Sequence, residues 1–468
     1  MSDLALMRSI TEDAGNPSTI VLRDRSKHTF TDIPSGIDSM VAGSETLINA
    51  PMYATNRAFA YKQLSATLGV MVWSTNATTH PAVQAVVWTG TTPALGAAVQ
   101  FDAGTAYPDK GCTYTSIARL GDNRAWVCFK YAGRSESVHR VCTVSNTGVV
   151  TMEDTGEWVS GAVTVPMVCE CSDSQVLIVY DRSAGTSAAY LTVDVDGVIN
   201  QPAGAIYLDS TVTVAGDPCA AKISPTRWLV VWRGYKSTTP IANYISVVEL
   251  YDNAGVLTMG TINNIETATS GEGAFGRHPA VCLADADTPT CVVLYSDATG
   301  QDTTQTWMRV ITLVADHTNT ASAATSINSS VSNNLDLIAC LDDYVFGCYR
   351  PTESGVNQND ISVFSALIEA TASIPAGLEL WGNGEDAVTE CVLGLTGTVD
   401  PVIMFVDTAS GSGFLQVFDA TQGSGGLTDT PVGLIQIRAQ RSDDYTIGSF
   451  KQSGGADVRN LTTFKRGG

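Results

Sequence analysis

Short apolar runs recur along this chain at a nearly constant distance from one another. Most of their residues are β-branched or aromatic, and polar, glycine-containing segments flank them. Their centres lie roughly 50–60 residues apart, a period typical of propeller blades and solenoid repeats. Each run is too short for a helix and fits a strand that is buried on both faces. The runs are Val70–Trp73, Ala125–Lys130, Val176–Asp181, Trp228–Arg233, Cys291–Tyr295, Tyr344–Arg350 and Val402–Asp407.

Further strands are predicted around each run. A second apolar segment follows after a turn rich in Ser, Thr, Gly and Asn, as in "VLIVYDRSAGTSAAYLTVDVDG" from Val176. One strand precedes the run, and a more variable strand comes last. Four strands in meander order without helices predict an all-β protein, a β-propeller of about seven four-stranded antiparallel blades, with eight as the alternative. A solenoid needs a shorter, stricter period, and a string of sandwiches needs roughly 100 residues per unit.

The repeat divides the chain into three predicted segments. Residues 1–55 lie outside it and are expected to form an arm or docking segment, with a loosely packed terminus as the alternative. Residues 56–440 form the propeller. Residues 441–468 hold strands that either pair with N-terminal strands such as Thr19–Asp24 to close the ring, or begin an eighth blade.

The charge balance excludes several classes of partner. The formal net charge is −21, whereas nucleic acid and anionic membrane surfaces require a basic face. A basic protein partner is compatible with this charge. No apolar run approaches the roughly 20 residues of a membrane-spanning helix. The N-terminus lacks the pattern of a secretory signal, so we expect synthesis in a cytoplasm.

The cysteines follow the phase of the repeat. There are 11, without a CxxC pair or a Cys/His cluster. One precedes most core runs, on the strand expected nearest the propeller axis, where a small apolar side chain suits the limited space. We therefore predict reduced, packed thiols and no cofactor or metal. Disulfides are the main alternative, with Cys282–Cys291 and Cys340–Cys348 as the favoured pairs. The cysteines in phase are Cys169 or Cys171, Cys219, Cys282, Cys340 and Cys391.

No catalytic constellation is apparent. The five histidines are scattered, and no HExxH or GxSxG motif occurs. Asp181, Asp297 and Asp407 follow core runs, and paired carboxylates at strand ends are one route to a glycosidase site. Turn capping by aspartate is the favoured interpretation. A single segment, Ser296–Trp307, has some likeness to the Asp-box of sialidases, but its spacing is too long and a sialidase needs an arginine triad.

Tryptophans supply the remaining candidates for a binding site. Six lie in predicted strands and are expected in the blade core: Trp73, Trp88, Trp126, Trp228, Trp232 and Trp307. Trp158 and Trp381 lie nearer to loops, so they are the candidate aromatics of a binding face.

The repeat resembles a known family. "VMVWSTNATTHPAVQAVVWTGTTPALGAAVQF", from Val70, is similar to repeats in the β-propeller modules of tailed-bacteriophage virion proteins. In those modules a strand and a Ser/Thr/Asn turn precede a strand such as "AVVGTVSGT" and then "FGTPVVF". The likeness covers most of residues 58–440 as a pattern, and no catalytic residues come with it.

The resemblance implies a non-enzymatic virion component of the collar, neck, fibre or tail-appendage type. Such a protein is made in the host cytoplasm without a signal peptide and ends on the virion. Its expected partners are other virion proteins, in multiple copies per particle, with a host surface glycan as a further possibility. The alternatives are a carbohydrate-binding host-receptor adhesin that uses the loops of one propeller face, and a glycan-cleaving propeller enzyme.

Overall fold

Contacts divide the chain into two compact units. One comprises residues 42–419, and the other comprises residues 1–41 together with 420–468. None of the described segments forms a helix long and apolar enough to cross a membrane. The computed structural model describes residues 19–23, 41–42, 45–49, 52, 58–75, 81–100, 112–131, 137–153, 158–160, 165–182, 185–194, 198–201, 204–208, 214–236, 242–269, 279–285, 289–296, 305–328, 332–341, 344–351, 361–368, 372–373, 381–382, 388–396, 400–407, 410–419, 434–440, 446–447, 450–451 and 458–459.

All regular elements among these residues are β-strands. Three short strands come first: β1 (Thr19–Arg23), β2 (Val41–Ala42) and β3 (Thr46–Asn49). The first blade holds β4 (Ala60–Ser65), β5 (Leu68–Trp73), β6 (Ala82–Thr89), β7 (Thr92–Leu95) and β8 (Val99–Gln100). The second holds β9 (Cys112–Gly121), β10 (Arg124–Tyr131), β11 (Ser137–Val144), β12 (Val150–Met152) and β13 (Trp158–Ser160). The third holds β14 (Pro166–Ser172), β15 (Gln175–Arg182), β16 (Gly185–Val193), β17 (Ile199–Asn200) and β18 (Ile206–Tyr207).

The later blades repeat this order. The fourth holds β19 (Val214–Ser224), β20 (Arg227–Lys236), β21 (Ala242–Asn253), β22 (Val256–Met259) and β23 (Asn263–Thr269). The fifth holds β24 (Ala280–Asp285), β25 (Thr290–Ser296), β26 (Thr306–Leu313), β27 (Asn319–Ala321) and β28 (Thr325–Asn328). The sixth holds β29 (Ser332–Leu341), β30 (Tyr344–Pro351), β31 (Ser362–Ile368), β32 (Ala372–Ser373) and β33 (Trp381–Gly382). The seventh holds β34 (Val388–Leu395), β35 (Pro401–Asp407) and β36 (Ser412–Asp419).

Residues 42–419 thus form the predicted β-propeller, and it has seven blades. Each blade is an antiparallel meander with four strand positions. The outermost position is divided between two short strands, so that β22 and β23 pair with successive parts of β21. The sequence predicted a variable fourth strand but not this division.

The first strand of each blade contacts the first strand of the next. The series runs from β4 through β9, β14, β19, β24 and β29 to β34, and β34 contacts β4 in turn. The ring therefore closes after seven blades, with no place for the eighth that the sequence left open.

The core lies between the blades. Every residue of β5, β25 and β35 is buried, because each second strand has a neighbouring blade on both sides. Consecutive residues face different neighbours: Val70 packs in a cluster with the second blade, and Met71 in one with the seventh. Complete burial of each such side chain contributes about 1.5–3 kcal/mol, which explains the apolar runs.

The seventh blade takes its outermost strands from the N-terminus. Thr46 and Leu47 of β3 pair with Leu415 and Phe414 of β36. The sequence analysis placed residues 1–55 outside the repeat, whereas the four-residue strand β3 belongs to the last blade. The physical reason is that β36 has a free hydrogen-bonding edge, which an outer strand must cover.

The other unit contains the remaining strands. They are β37 (Leu434–Gln440), β38 (Thr446–Ile447), β39 (Phe450–Lys451) and β40 (Val458–Arg459). Thr19 of β1 pairs with Arg438 of β37. The sequence analysis expected the N-terminal strand at Thr19–Asp24 to pair with a strand in residues 441–468. Its partner is instead β37, which precedes that tail.

Candidate functional site: the short-turn face

The antiparallel meanders place the first and third connections of every blade at one end of the propeller. We call this end, in blades two to five, the short-turn face. Its connections are tight: Ala254 and Gly255 alone join β21 to β22. The turns of this face include residues 122–123, 145–148, 173–174, 225–226, 254–255 and 314–317, and Asp194 and Val198 flank the corresponding connection of the third blade.

Left-handed residues and aspartate caps form these turns. Ala254 and Gly255 have φ values of 55° and 86°, as a two-residue type I′ hairpin requires. The Asp252 carboxylate accepts the Gly255 N–H at 2.6 Å, and that of Asp194 accepts the Val198 N–H at 2.8 Å. Asp316 accepts both the N–H and the hydroxyl of Thr318, and these hydrogen bonds lower the pKa of the Asp316 carboxyl. Turn geometry thus requires the aspartates that give the face its charge.

Exposed valines accompany the aspartates. Val149, Val198 and Val256 directly follow a turn and are 58%, 47% and 64% exposed. Val314, at the start of the corresponding turn of the fifth blade, is 42% exposed. The residue after each of the first two is buried, so the strand has an inward-facing side chain and an outward-facing one. Scattered apolar residues are normal on a surface, but three of these valines follow the corresponding turn in three consecutive blades, and Val314 lies on the other side of that turn in the next blade.

Contacts between blades fix neighbouring turns relative to one another. The Arg124 guanidinium donates to the Asp173 carbonyl at 3.2 Å and forms an ion pair with Glu153. The Tyr190 hydroxyl donates to Asp252 Oδ2 at 3.3 Å. The turns of the second, third and fourth blades therefore form a continuous, ordered surface.

Glu249 anchors the junction of the fourth and fifth blades. Its carboxylate is fully buried, accepts Arg227 Nη2–H at 2.9 Å, and lies 2.9 Å from His317 Nδ1. The hydrogen bond to Glu249 raises the pKa of Arg227. The His317 ring stacks on Tyr251, with 3.6 Å between ring centroids. This cluster holds the turn with Val314 against the fourth blade.

The result is an acidic and apolar surface. Asp122, Asp173, Asp194 and Asp316 are exposed on it, and Asp122 forms an ion pair with Arg119. The guanidinium groups of Arg124 and Arg227 are each held by a glutamate. A face of this composition is complementary to a basic segment that also carries apolar side chains.

A second charged cluster lies on the innermost strands. Glu170 of the third blade is 3.5 Å from Lys222 Nζ of the fourth and 3.9 Å from Lys62 Nζ of the first. Lys222 also donates to the Cys171 carbonyl at 3.2 Å. These contacts link inner strands around the axis, and the carboxylate balances part of the positive charge.

The in-phase cysteines lie on innermost strands, as predicted. Cys171, Cys219, Cys282 and Cys391 are buried and Cys169 is half-buried, while the side chain of Cys340 lies outside the described residues. Cys282 and Cys291 are both free thiols, so the predicted alternative pair between them does not form. Among the described side chains no group of three His, Cys, Asp or Glu could hold a metal ion.

Two of the three aspartates that follow core runs lie in the described residues, and they have different roles. Asp407 caps a turn, accepting from the N–H and hydroxyl of Ser410 at 3.1 and 2.6 Å, which is the favoured interpretation. Asp181 is buried beside Asp217 of the next blade and accepts the Thr186 hydroxyl at 3.2 Å. Burial, and then the nearby Asp217, raise the pKa of Asp181 to about 7. Asp297 lies outside the described residues. The sequence analysis did not identify Asp217. The one feature of the sequence that could have indicated it is its position before Pro218 in an inner strand.

The two candidate binding aromatics lie on the outermost strands of two different blades. Trp158 of β13 pairs with His139 in the second blade, and Trp381 of β33 pairs with Val363 in the sixth. Both occupy the same register position of their blades, because His139 and Val363 lie opposite the equivalent residues Cys128 and Cys348 of the second strands. The two tryptophans remain predicted binding residues of the outer rim.

The strand tryptophans belong to the core. Trp88, Trp126, Trp228 and Trp232 are almost fully buried and Trp73 is buried, while Trp307 is partly buried. The indole N–H groups of Trp73, Trp88, Trp126 and Trp228 find internal acceptors, such as His139 Nδ1 for Trp126 at 3.0 Å. The prediction of blade-core tryptophans is confirmed for these five buried residues.

Comparisons with known proteins give distant structural likenesses. No protein-family model matches the chain, and no curated protein matches it. A structure of a protein of unknown function from Dyadobacter fermentans is similar at 10% identity and a TM-score of 0.47, covering 81% of this chain and 99% of that one. A functionally unknown protein from Desulfotomaculum acetoxidans has 10% identity and a TM-score of 0.43, with 72% and 94% covered. The Hadza microbial sialidase Hz136 has 10% identity and a TM-score of 0.42, with 67% and 66% covered. These likenesses concern the fold alone.

Proposed function

We propose that this protein is a non-enzymatic, rigid interaction scaffold, and more specifically a structural component of a tailed-phage virion. The observation that carries the proposal is the row of four exposed valines among aspartates on the short-turn face. A partner that covers them gains apolar burial, and its basic side chains meet the acidic turns.

The rigidity of the scaffold has a structural basis. Seven inner strands form a closed ring, and contacts such as those of Arg124 and His317 hold the turns of neighbouring blades. A preordered surface loses little conformational freedom when a partner binds, so more of the contact energy appears as affinity.

The virion assignment is the finer part of the proposal. It is supported by the resemblance of the repeat to propeller modules of tailed-phage virion proteins. We propose a place in the collar, neck, fibre or tail appendage, in several copies per particle, with other virion proteins as partners.

Immunogold electron microscopy of particles, with an antibody against this chain, tests the virion assignment. Gold at the neck or collar would support a role in assembly, and gold at fibre tips would favour host attachment. Particles that carry no gold would contradict the assignment, and the scaffold proposal would then stand on the turn face alone.

A variant of the turn face tests the scaffold proposal directly. Val149, Val198, Val256 and Val314 are replaced together by Thr, and retention of virion proteins from dissociated particles is measured on the immobilised chain. We expect at least a tenfold loss of affinity for one defined partner, since four apolar contacts are weakened. The matched control replaces exposed Leu47 and Tyr207 by Thr, on outermost strands away from the four valines. Equal binding by the valine variant would refute this face as the contact.

A carbohydrate-binding adhesin is the second candidate, favoured by the aromatics of the outer rim. Tyr207 is 50% exposed on β18, one residue from the register position that Trp158 and Trp381 share. Binding to a glycan array that is lost in Trp158→Ala, Trp381→Ala or Tyr207→Ala would support it. A glycan signal that survives all three changes would exclude the rim as the binding site.

A further inference from the structure

Two buried thiols meet where the sixth blade packs on the seventh. Cys348 of β30 is fully buried, and Cys391 of β34 is 5% exposed. Their sulfur atoms are 3.4 Å apart, with the Cys348 thiol directed at Cys391. The cysteines are 43 residues apart in sequence and belong to different blades, so the propeller fold alone brings them together.

Hydrogen bonds on both sides hold the two sulfur atoms in place. Cys391 donates to the Asn334 carbonyl at 3.1 Å, and the N–H of nearby Leu393 donates to Asp336 Oδ2 at 2.8 Å. Asn334 has a left-handed φ of 53° in an irregular part of β29, which directs its carbonyl towards the seventh blade. The strand that carries Cys391 is therefore fastened to the sixth blade at two points next to its thiol.

Other buried cysteines have different surroundings. Cys112 donates to the Ala58 carbonyl, and Cys128 lies 3.5 Å from His139 Nε2. Their sulfur atoms thus face oxygen or nitrogen, whereas those of Cys348 and Cys391 face each other. A disulfide requires about 2.05 Å between sulfur atoms, so small side-chain rotations would bring the pair within bonding distance.

We propose that Cys348 and Cys391 form a reversible disulfide that joins the sixth and seventh blades when the protein meets a hydroperoxide. The seventh blade is the one completed by the N-terminal strand β3, so a covalent bond there reinforces the blade on which ring closure depends. A cross-link also reduces the freedom of the unfolded chain.

The chemistry starts at Cys391, the more exposed sulfur. Its thiolate attacks one peroxide oxygen, the O–O bond breaks, and the sulfenic acid of Cys391 forms while water or an alcohol leaves. The Cys348 sulfur then attacks the Cys391 sulfur, and the hydroxyl group leaves as water with the proton of the Cys348 thiol. In total, two thiols and one hydroperoxide give one disulfide, one molecule of water from the sulfenic acid, and one further molecule of water or, from an organic hydroperoxide, of alcohol. Burial raises the pKa of Cys348 well above its ordinary value, which makes Cys348 the second sulfur to react.

The experiment uses the full chain and hydrogen peroxide. After treatment, free thiols are blocked in denaturant and peptides are analysed by mass spectrometry without reduction. We expect a peptide pair joined through Cys348 and Cys391, a rise of a few degrees in Tm, and the loss of both after treatment with dithiothreitol. Cys348→Ala and Cys391→Ala should each abolish both effects. Cys142→Ala, a buried cysteine in the second blade, is the matched control and should retain them.

Two outcomes would overturn the proposal. One is peroxide oxidation of other cysteines without a Cys348–Cys391 peptide pair in the folded protein. The other is a peptide pair that appears with an unchanged Tm, because the bond would then not reinforce the blades. Should an alanine variant fail to fold, the peptide analysis of the wild-type chain still decides the question.

Discussion

His139 is a buried imidazole whose two nitrogen atoms have different roles. The Trp126 N–H can only donate, so Nδ1 at 3.0 Å must accept and the proton lies on Nε2, 3.1 Å from the Ser137 hydroxyl. Burial lowers the pKa of His139 to about 3, well below its ordinary value of 6.5. The ring is therefore neutral in the folded protein at neutral pH.

Replacement of His139 should change the acid sensitivity of the fold. Because its folded-state pKa is lowered, the stability it contributes is complete above pH 6.5 and is lost as the pH falls towards 3. His139→Asn keeps an acceptor for Trp126 without a titrating group. We expect it to cost about 1–3 kcal/mol at neutral pH and to flatten this part of the pH profile. Urea unfolding between pH 7 and pH 4 measures both effects; an unchanged slope would contradict the assignment.

Asp181 should give the protein the opposite pH dependence of stability. Its pKa is raised from 3.8 to about 7, so its contribution to stability is complete below pH 3.8 and is lost as the pH rises through 7. Asp181→Asn should remove this decline and stabilise the protein at pH 8 by up to a few kcal/mol. The exposed Asp122→Asn is the control, expected to leave the profile unchanged. Equal pH profiles for wild type and Asp181→Asn would show that the carboxylate is not buried as described.

The side chain of Tyr61 links the first and seventh blades. Its hydroxyl accepts the Trp88 N–H at 2.9 Å and donates to the Leu395 carbonyl at 3.1 Å. Gly69 and Gly394 leave room for its ring, because a Cβ on either would meet it. Tyr61→Phe leaves the buried Trp88 N–H without this acceptor, at a cost of about 1–3 kcal/mol. Chemical denaturation measures the loss. Tyr207→Phe, at a residue that is 50% exposed, should be neutral, and equal stability of both variants would refute the role of Tyr61.

The hairpin of β21 and β22 contains a residue that is poorly suited to its backbone. Ala254 has a φ of 55°, where a Cβ is unfavourable and asparagine is better tolerated. Ala254→Asn should therefore raise the free energy of unfolding by about 0.5–1 kcal/mol. The control Ala98→Asn concerns an exposed residue without a left-handed backbone and should bring no gain. Destabilisation by Ala254→Asn would show that the turn adopts another geometry in solution.

The elements were predictable where burial dictates the sequence. Val176–Asp181 and Cys291–Tyr295 became the second strands β15 and β25, since only apolar β-formers fit between two blades. β3 was missed because a four-residue edge strand needs little apolar character. Three of the exposed valines could have been predicted, because a Gly-Val-apolar triplet begins at residues 148, 197 and 255. The contacts of Asp181 with Asp217 and of Cys348 with Cys391 depend on how neighbouring blades align, which no local pattern records.

The whole molecule depends on a strand from its N-terminus. Deletion of residues 1–50 removes β2 and β3, exposes the edge of β36 and takes Ile48 out of the core cluster shared by the seventh and first blades. We expect a lower Tm and a tendency to self-associate through the open edge. Deletion of residues 1–40 keeps both strands and is the matched control. Thermal unfolding and light scattering compare the two chains. If both deletions lower the Tm of the propeller equally, β3 does not stabilise the seventh blade, and the stabilising segment lies before residue 41.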